Sequence, residues 1–163
     1  MAITTSLNSV DPRPIVRRLT ASSNGLSTSG ANYTPNTQLG GEIVFPNATR
    51  TTSGFGTISS ATLVDNASSI GAIDLYMFSR SVTPAANKSA ANFSDSDMDY
   101  YIGTVSFPAP TALINNSATS LSAIGLTYQT NATSLYGYIV TLTQHGIFNA
   151  GTDIKLSLTV YQY

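Results

Sequence analysis

The sequence has no cysteine and no tryptophan, a single histidine (His145) and a single glutamate (Glu42). Without cysteine there are no disulfides, no thiolate metal ligands and no cysteine nucleophile. Charged side chains make up 9% of the 163 residues, against roughly 25% in an average soluble domain. The formal net charge is -1. Neither nucleic acid nor an anionic membrane surface finds the basic field it would need. No apolar run reaches the roughly 18 residues of a membrane-crossing helix, and Met1–Ser6 lacks the charged and apolar regions of a secretion signal. One histidine and one glutamate are little equipment for general acid–base work. The chain reads as a non-enzyme without a cofactor.

What is abundant is Ser, Thr and Asn, roughly a third of the chain, beside 42% hydrophobic residues. Those hydrophobic residues fall in alternating blocks, which favours a folded chain over disorder. The length suits one domain able to bury a core without covalent staples.

Residues 1–40 differ in character from residues 41–163. Asp11-Pro12-Arg13-Pro14 is biased to extended backbone, because each proline pushes its predecessor away from helix. Ile15-Val16-Arg17-Arg18-Leu19 comes next, then a Ser/Gly/Asn stretch from Ala21 to Asn36. Three of the seven basic residues, Arg13, Arg17 and Arg18, sit in this segment. We expect an extended arm and polar linker over 1–40. Its contact residues would be Pro12, Arg13, Pro14, Ile15, Arg17 and Arg18, crossing onto a neighbouring subunit.

The region 41–163 reads as β. Glu42-Ile43-Val44-Phe45 is a short apolar run stopped by Pro46. Thr57–Val64 is rich in β-branched residues. Ile73–Phe78 is bulky on both faces, the mark of an interior strand covered on both sides. Ser94 followed by Asp95, Asp97 and Asp99 is an N-cap with acidic residues in a first helical turn. Ile102–Phe107 alternates strictly up to Pro108. A strand is expected over Leu121–Tyr128, with Gly125 marking a bulge. Leu135–Gln144 places Tyr136, Tyr138 and Val140 on one face, and a turn is expected at His145-Gly146. The last strand alternates Ile154, Leu156, Leu158 and Val160 with Lys155, Ser157, Thr159 and Tyr161. Lys155 is expected as a solvated edge residue. Seven or eight strands and one short helix predict an all-β, antiparallel β-sandwich, a jelly roll or related Greek key. An immunoglobulin-type sandwich would fit the strand number but lacks its cysteine and tryptophan landmarks.

Asp95, Asp97 and Asp99 form the most site-like pattern. An EF-hand would also need glycine and glutamate where Tyr100 and Ser106 stand. The carboxylate-rich helix start is the favoured reading, with a weaker calcium site using loop carbonyls left open. His145 has no G-x-S-x-G elbow to accompany it, and zinc spacings and glycine-rich phosphate cradles are absent. Of nine tyrosines, Tyr128, Tyr136, Tyr138, Tyr161 and Tyr163 cluster late. Tyrosine is enriched where subunits meet, so these five are the candidate subunit interface; a carbohydrate-stacking surface is the other reading.

Ile73–Phe78, then Ala90-Ala91-Asn92-Phe93-Ser94-Asp95-Ser96-Asp97-Met98, then Tyr101-Ile102-Gly103-Thr104-Val105 resembles the head decoration (cement) proteins of tailed bacteriophages. Leu135–Val140 and Asp153–Leu158 are similar to the closing hairpin of that family. The resemblance spans residues 73–163 and leaves 1–40 aside. It implies a β-sandwich, usually a homotrimer, that clamps the major capsid protein from the outer face of the virion head. The alternatives are another virion component, such as a head-fibre base, tail or baseplate part, and a carbohydrate- or receptor-binding β-sandwich.

Overall fold

Alternating apolar and polar side chains give each strand one face that must be covered. The computed structural model, which describes residues 13–21, 32–148 and 150–163, shows what covers them. Ten strands and one short helix lie among these residues. They are β1 (Ile15–Thr20), β2 (Gln38–Phe45), β3 (Phe55–Asp65), β4 (Ile73–Phe78), α1 (Asp95–Met98), β5 (Tyr101–Phe107), β6 (Thr111–Ala112), β7 (Ser117–Leu121), β8 (Leu126–Gln129), β9 (Leu135–Thr141) and β10 (Ile154–Gln162). One sheet runs β1-β10-β3-β7-β6 with β8 also on β3, and the other runs β2-β9-β4-β5. Every pairing is antiparallel. The fold is the all-β sandwich expected.

Counting β7 and β8 as two halves of one position beside β3, strands β1 to β4 alternate between the sheets. The chain then returns through β5, the β6–β8 group, β9 and β10, again dividing them between both layers. This interleaving is the jelly-roll form of the Greek key.

The inner faces meet in one core that includes Ile43, Phe45, Ile58, Leu63, Leu75, Ile139, Leu156 and Leu158. Each such side chain contributes about 1.5–3 kcal/mol when fully buried. A second cluster lies on the other face of β4 and β9, where Phe78 and Tyr138 pack with Val82, Tyr76, Phe93 and Tyr136. Residues 79–100, including α1, supply Val82, Phe93 and Tyr100 as its cover. Phe78 meets Phe93 at 5.1 Å and Tyr138 edge-on at 5.5 Å between centroids. So β4 is interior in both senses: strands on either side and side chains over both faces.

Three local expectations change. Ile15–Thr20 is β1, paired with β10 from Ile15↔Gln162 to Thr20↔Ser157. The sandwich therefore takes in residues assigned to the arm, and β2 begins at Gln38, ahead of the expected boundary at 41. Lys155 is exposed as expected; it pairs with Val64 of β3, and the β1 ladder stops two residues short of it, at Ser157. The strand expected at Leu121–Tyr128 is broken. Ala123 (φ 56°) and Gly125 (φ 69°) adopt left-handed backbone, which cannot continue a ladder. Thus β7 pairs with Ala61–Asp65 and β8 with Phe55–Ile58. Finally, His145 is not a turn residue: it forms an isolated antiparallel bridge with Tyr33 and is 2% exposed.

Asp65 closes β3 with a fully buried carboxylate. Its oxygens accept from the N–H groups of Ala67 (2.8 Å), Ser69 (2.5 Å) and Ile70 (2.7 Å). They hold the 66–70 turn that carries the chain to the other sheet. Asp65→Ala strands these donors, and unsatisfied buried groups cost about 1–3 kcal/mol each. We expect at least about 2 kcal/mol of lost stability by urea denaturation. An unchanged midpoint would show that the turn holds itself.

Candidate functional site

The expected contact segment falls on β1, apart from Pro12, which lies outside the described residues, and Arg13 and Pro14, which precede it. Arg18 donates from Nη2 to the Ser157 hydroxyl at 3.1 Å on the neighbouring strand. Arg17 and Ile15 line a cleft of about 340 Å3 with Asn47, Thr49, Arg50 and Gln162. In β1 only Leu19 is buried, and Ile15, Arg17 and Arg18 are exposed. An edge strand with basic side chains resists indiscriminate pairing while leaving a charged rim.

The five tyrosines separate. Tyr128 is 5% exposed and donates its hydroxyl to the Ala48 carbonyl at 2.5 Å. Burial pushes that hydroxyl up to about 12. Tyr138 is fully buried. Its hydroxyl faces Glu42 Oε2 at 2.7 Å and the Val82 carbonyl at 2.8 Å, and accepts from the Val82 N–H at 3.2 Å. Burial and the neighbouring Glu42 carboxylate both raise its pKa. These two tyrosines anchor loops to the sandwich and are removed from any subunit surface. Tyr136 is half-buried against the second cluster. Tyr161 and Tyr163 remain exposed, at 39% and 44%.

Two exposed apolar features bring in residues outside the sequence-based expectations, Leu113 with Ile114 in one and Phe55 beside Tyr163 in the other. The turn between β6 and β7 carries Leu113 at 59% and Ile114 at 99% exposure, closed by an N–H of Leu113 donating to the Asn116 carbonyl at 2.7 Å. At the opposite end of β3, Phe55 is 56% exposed and stacks on Tyr163 with centroids 5.4 Å apart and ring planes 12° from parallel. A local signal exists for the second: Gly54-Phe55-Gly56 sets one large ring between residues without side chains. For the first, Leu113-Ile114 between Pro110 and Asn115 carries no periodicity that marks it.

The aspartate pattern belongs to the helix start. Ser94 and Asp97 form a reciprocal capping box, with the Asp97 N–H on Ser94 Oγ and the Ser94 N–H on Asp97 Oδ2, each at 3.2 Å, and the Ser94 hydroxyl also donates to Oδ2 at 2.7 Å. The Ser94 hydroxyl holds the Asp97 carboxyl below its usual range. Among the described residues no three acidic or histidine side chains converge on a point that could hold a metal ion.

His145 accepts at Nδ1 from the Gly71 N–H at 2.9 Å. Its buried Nε2 has no partner among the described residues. Desolvation lowers its pKa, against smaller raising contributions from the Ala72 backbone and Asp65.

No protein-family model matches the chain, and no curated protein matches it. Among solved structures it is similar to the K3 cleaved adhesin domain of Lys-gingipain from Porphyromonas gingivalis w83, at 15% identity and a TM-score of 0.29. That match covers 75% of this chain, which spans 63% of the adhesin chain. It is similar to a chain of the full Israeli acute paralysis virus particle heated to 63 degrees, at 14% identity and a TM-score of 0.29, covering 100% of this chain and 79% of that one. A chain of the native Kashmir bee virus virion at acidic pH gives 15% identity and a TM-score of 0.27, covering 99% and 79%.

Because His145 is held neutral, the unfolded chain takes up a proton that the folded chain refuses. Stability from this residue is complete above its ordinary value of 6.5 and falls as pH drops below it. Melting temperatures from pH 7.5 to 5 are expected to decline more steeply in the wild type than in His145→Asn. Parallel declines would exclude this residue as the cause.

Proposed function

We propose that this chain is a structural, non-enzymatic virion protein that docks on the outer face of a tailed-phage head. There it binds the major capsid protein as a decoration protein, acting as a homotrimer. The observation that carries this reading is the solvent-projecting pair Leu113 and Ile114, at 59% and 99% exposure on a two-stranded tip. A folded monomer gains nothing by holding two large aliphatic side chains in water, whereas a buried apolar anchor dominates many interfaces. Three further points support it. The jelly roll is an architecture used in capsids, residues 73–163 resemble decoration proteins, and low charge limits desolvation cost on assembly. Arg13, Arg17 and Arg18 add a salt-dependent contact to capsid carboxylates. Many copies acting together would turn a modest single contact into lasting attachment.

Cryo-electron microscopy of the intact particle and of heads re-bound with purified chain tests this. Threefold-related density on the head exterior is expected, and density confined to the tail would overturn the head assignment. In co-sedimentation with bare heads, Leu113→Ser/Ile114→Ser should weaken binding at least tenfold with an unchanged melting temperature. High salt should weaken it far less, since screening over about 10 Å at 0.1 M acts on the exposed arginines and not on the apolar tip. Release at moderate salt with an inert double variant would show that the arginines carry docking.

A further inference from the structure

We infer that the Phe55–Tyr163 end of the sandwich is a saccharide-binding trough, suited to an oligosaccharide bearing a carboxylate. This goes beyond capsid docking and does not depend on it. The two stacked rings border a trough of about 520 Å3, within the usual size range of small-molecule sites. Tyr163 is fixed there by its N–H, which donates to the Phe55 carbonyl at 3.2 Å. Gly56 and Tyr128 complete the lining. A Cβ at Gly56 would stand 2.5 Å from the Tyr128 hydroxyl, so glycine is what lets that ring come close.

The remaining lining is polar and uncharged: Thr57, Thr127 and Gln129. Register puts Thr57 opposite Thr127 and Phe55 opposite Gln129 on adjacent strands. All four lie at alternate positions and therefore share one sheet face. Among the described residues, the side chains of Thr57, Thr127 and Gln129 make no hydrogen bond to the protein, so their donors and acceptors are available. Aromatic faces beside free hydroxyl and amide groups match the two surfaces of a sugar, its C–H face and its hydroxyl rim.

Gln129 also lines a second hollow of about 510 Å3, together with Arg80, Tyr100 and Asn131. Here the Arg80 guanidinium lies 3.8 Å from the centre of the Tyr100 ring. A guanidinium seated over a ring can still direct N–H groups at a carboxylate, and an acidic sugar would share Arg80 with Asp97, whose carboxyl already feels its charge. A chain of sugars seated on Phe55 and Tyr163 would pass Gln129 and bring an acidic residue to Arg80. The trough and the Leu113–Ile114 tip lie at opposite ends of β3, since β8 pairs with Phe55–Ile58 and β7 with Ala61–Asp65. Docking through the tip leaves the trough open.

The test is binding of purified protein to an array of immobilised neutral and uronate-containing oligosaccharides. The wild type should be retained on uronate-containing members, and Phe55→Ala/Tyr163→Ala should lose at least tenfold. Gln129→Ala gives a milder check in which the rings stay intact, with a severalfold loss expected. Arg80→Gln should bring acidic and neutral members to equal retention. Leu113→Ser/Ile114→Ser should bind as the wild type does, whatever its effect on capsid docking. No retention of the wild type, or retention unchanged in the ring variants, would overturn the proposal. So would sedimentation showing that the ring variants lose self-association while no sugar is bound, which would make the patch an interface between copies. Equal retention on neutral members by the wild type would overturn the role of Arg80.

Discussion

The meeting of two apolar sheet faces is the interaction on which everything else rests. No cysteine is present to staple the layers, and charge is too sparse to draw them together. Strands that are consecutive in the chain repeatedly lie in different sheets, so local hydrogen bonding cannot hold the layers in contact. Burial of Phe45, Leu63, Leu75, Ile139 and Leu158 between them must do so. The polar groups drawn inside are tied to this requirement. Asp65 accepts the turn donors where the chain leaves one sheet for the other, and Tyr138 ties the outer cover back to Glu42.

With the interior committed to packing, the surface is where recognition must occur. Among its exposed large apolar side chains, two groups stand at opposite ends of β3. Leu113 and Ile114 extend from a short hairpin, and Phe55 and Tyr163 stand at the far end of the longest strand. Between them the outer face of this sheet carries hydroxyls, including the Thr62 and Ser120 pair at 3.3 Å. The two ends therefore differ in chemistry, one aliphatic and one aromatic with polar neighbours.

Much of the fold is legible in the sequence because some signals are local. The alternation of β10 and the Ser94 cap need only near neighbours, and both are where their residues imply. Bulk on both faces of Ile73–Phe78 correctly announces a doubly covered strand. Other features depend on residues far away in the chain. Nothing in Ile15–Thr20 indicates that it pairs with a strand starting at Ile154. An aromatic face on β9 shows that something covers it without showing that residues 79–100 do. That is why Tyr138 reads as an interface residue in the sequence alone. The candidate site is less legible still. Phe55, Gln129 and Arg80 come from β3, β8 and the segment after β4, and Arg80 meets Gln129 only where the two sheets come together.

The position of β10 has a mechanical consequence. It is flanked along most of its length by antiparallel neighbours, β1 on one side and β3 on the other. A pull along this strand must break both ladders together, in shear, whereas a pull across a free edge would open them one bond at a time. The break between β7 and β8 lies away from this strand and takes no part in the load path. A protein built this way withstands tension directed along its final strand better than tension that peels β1 from its edge.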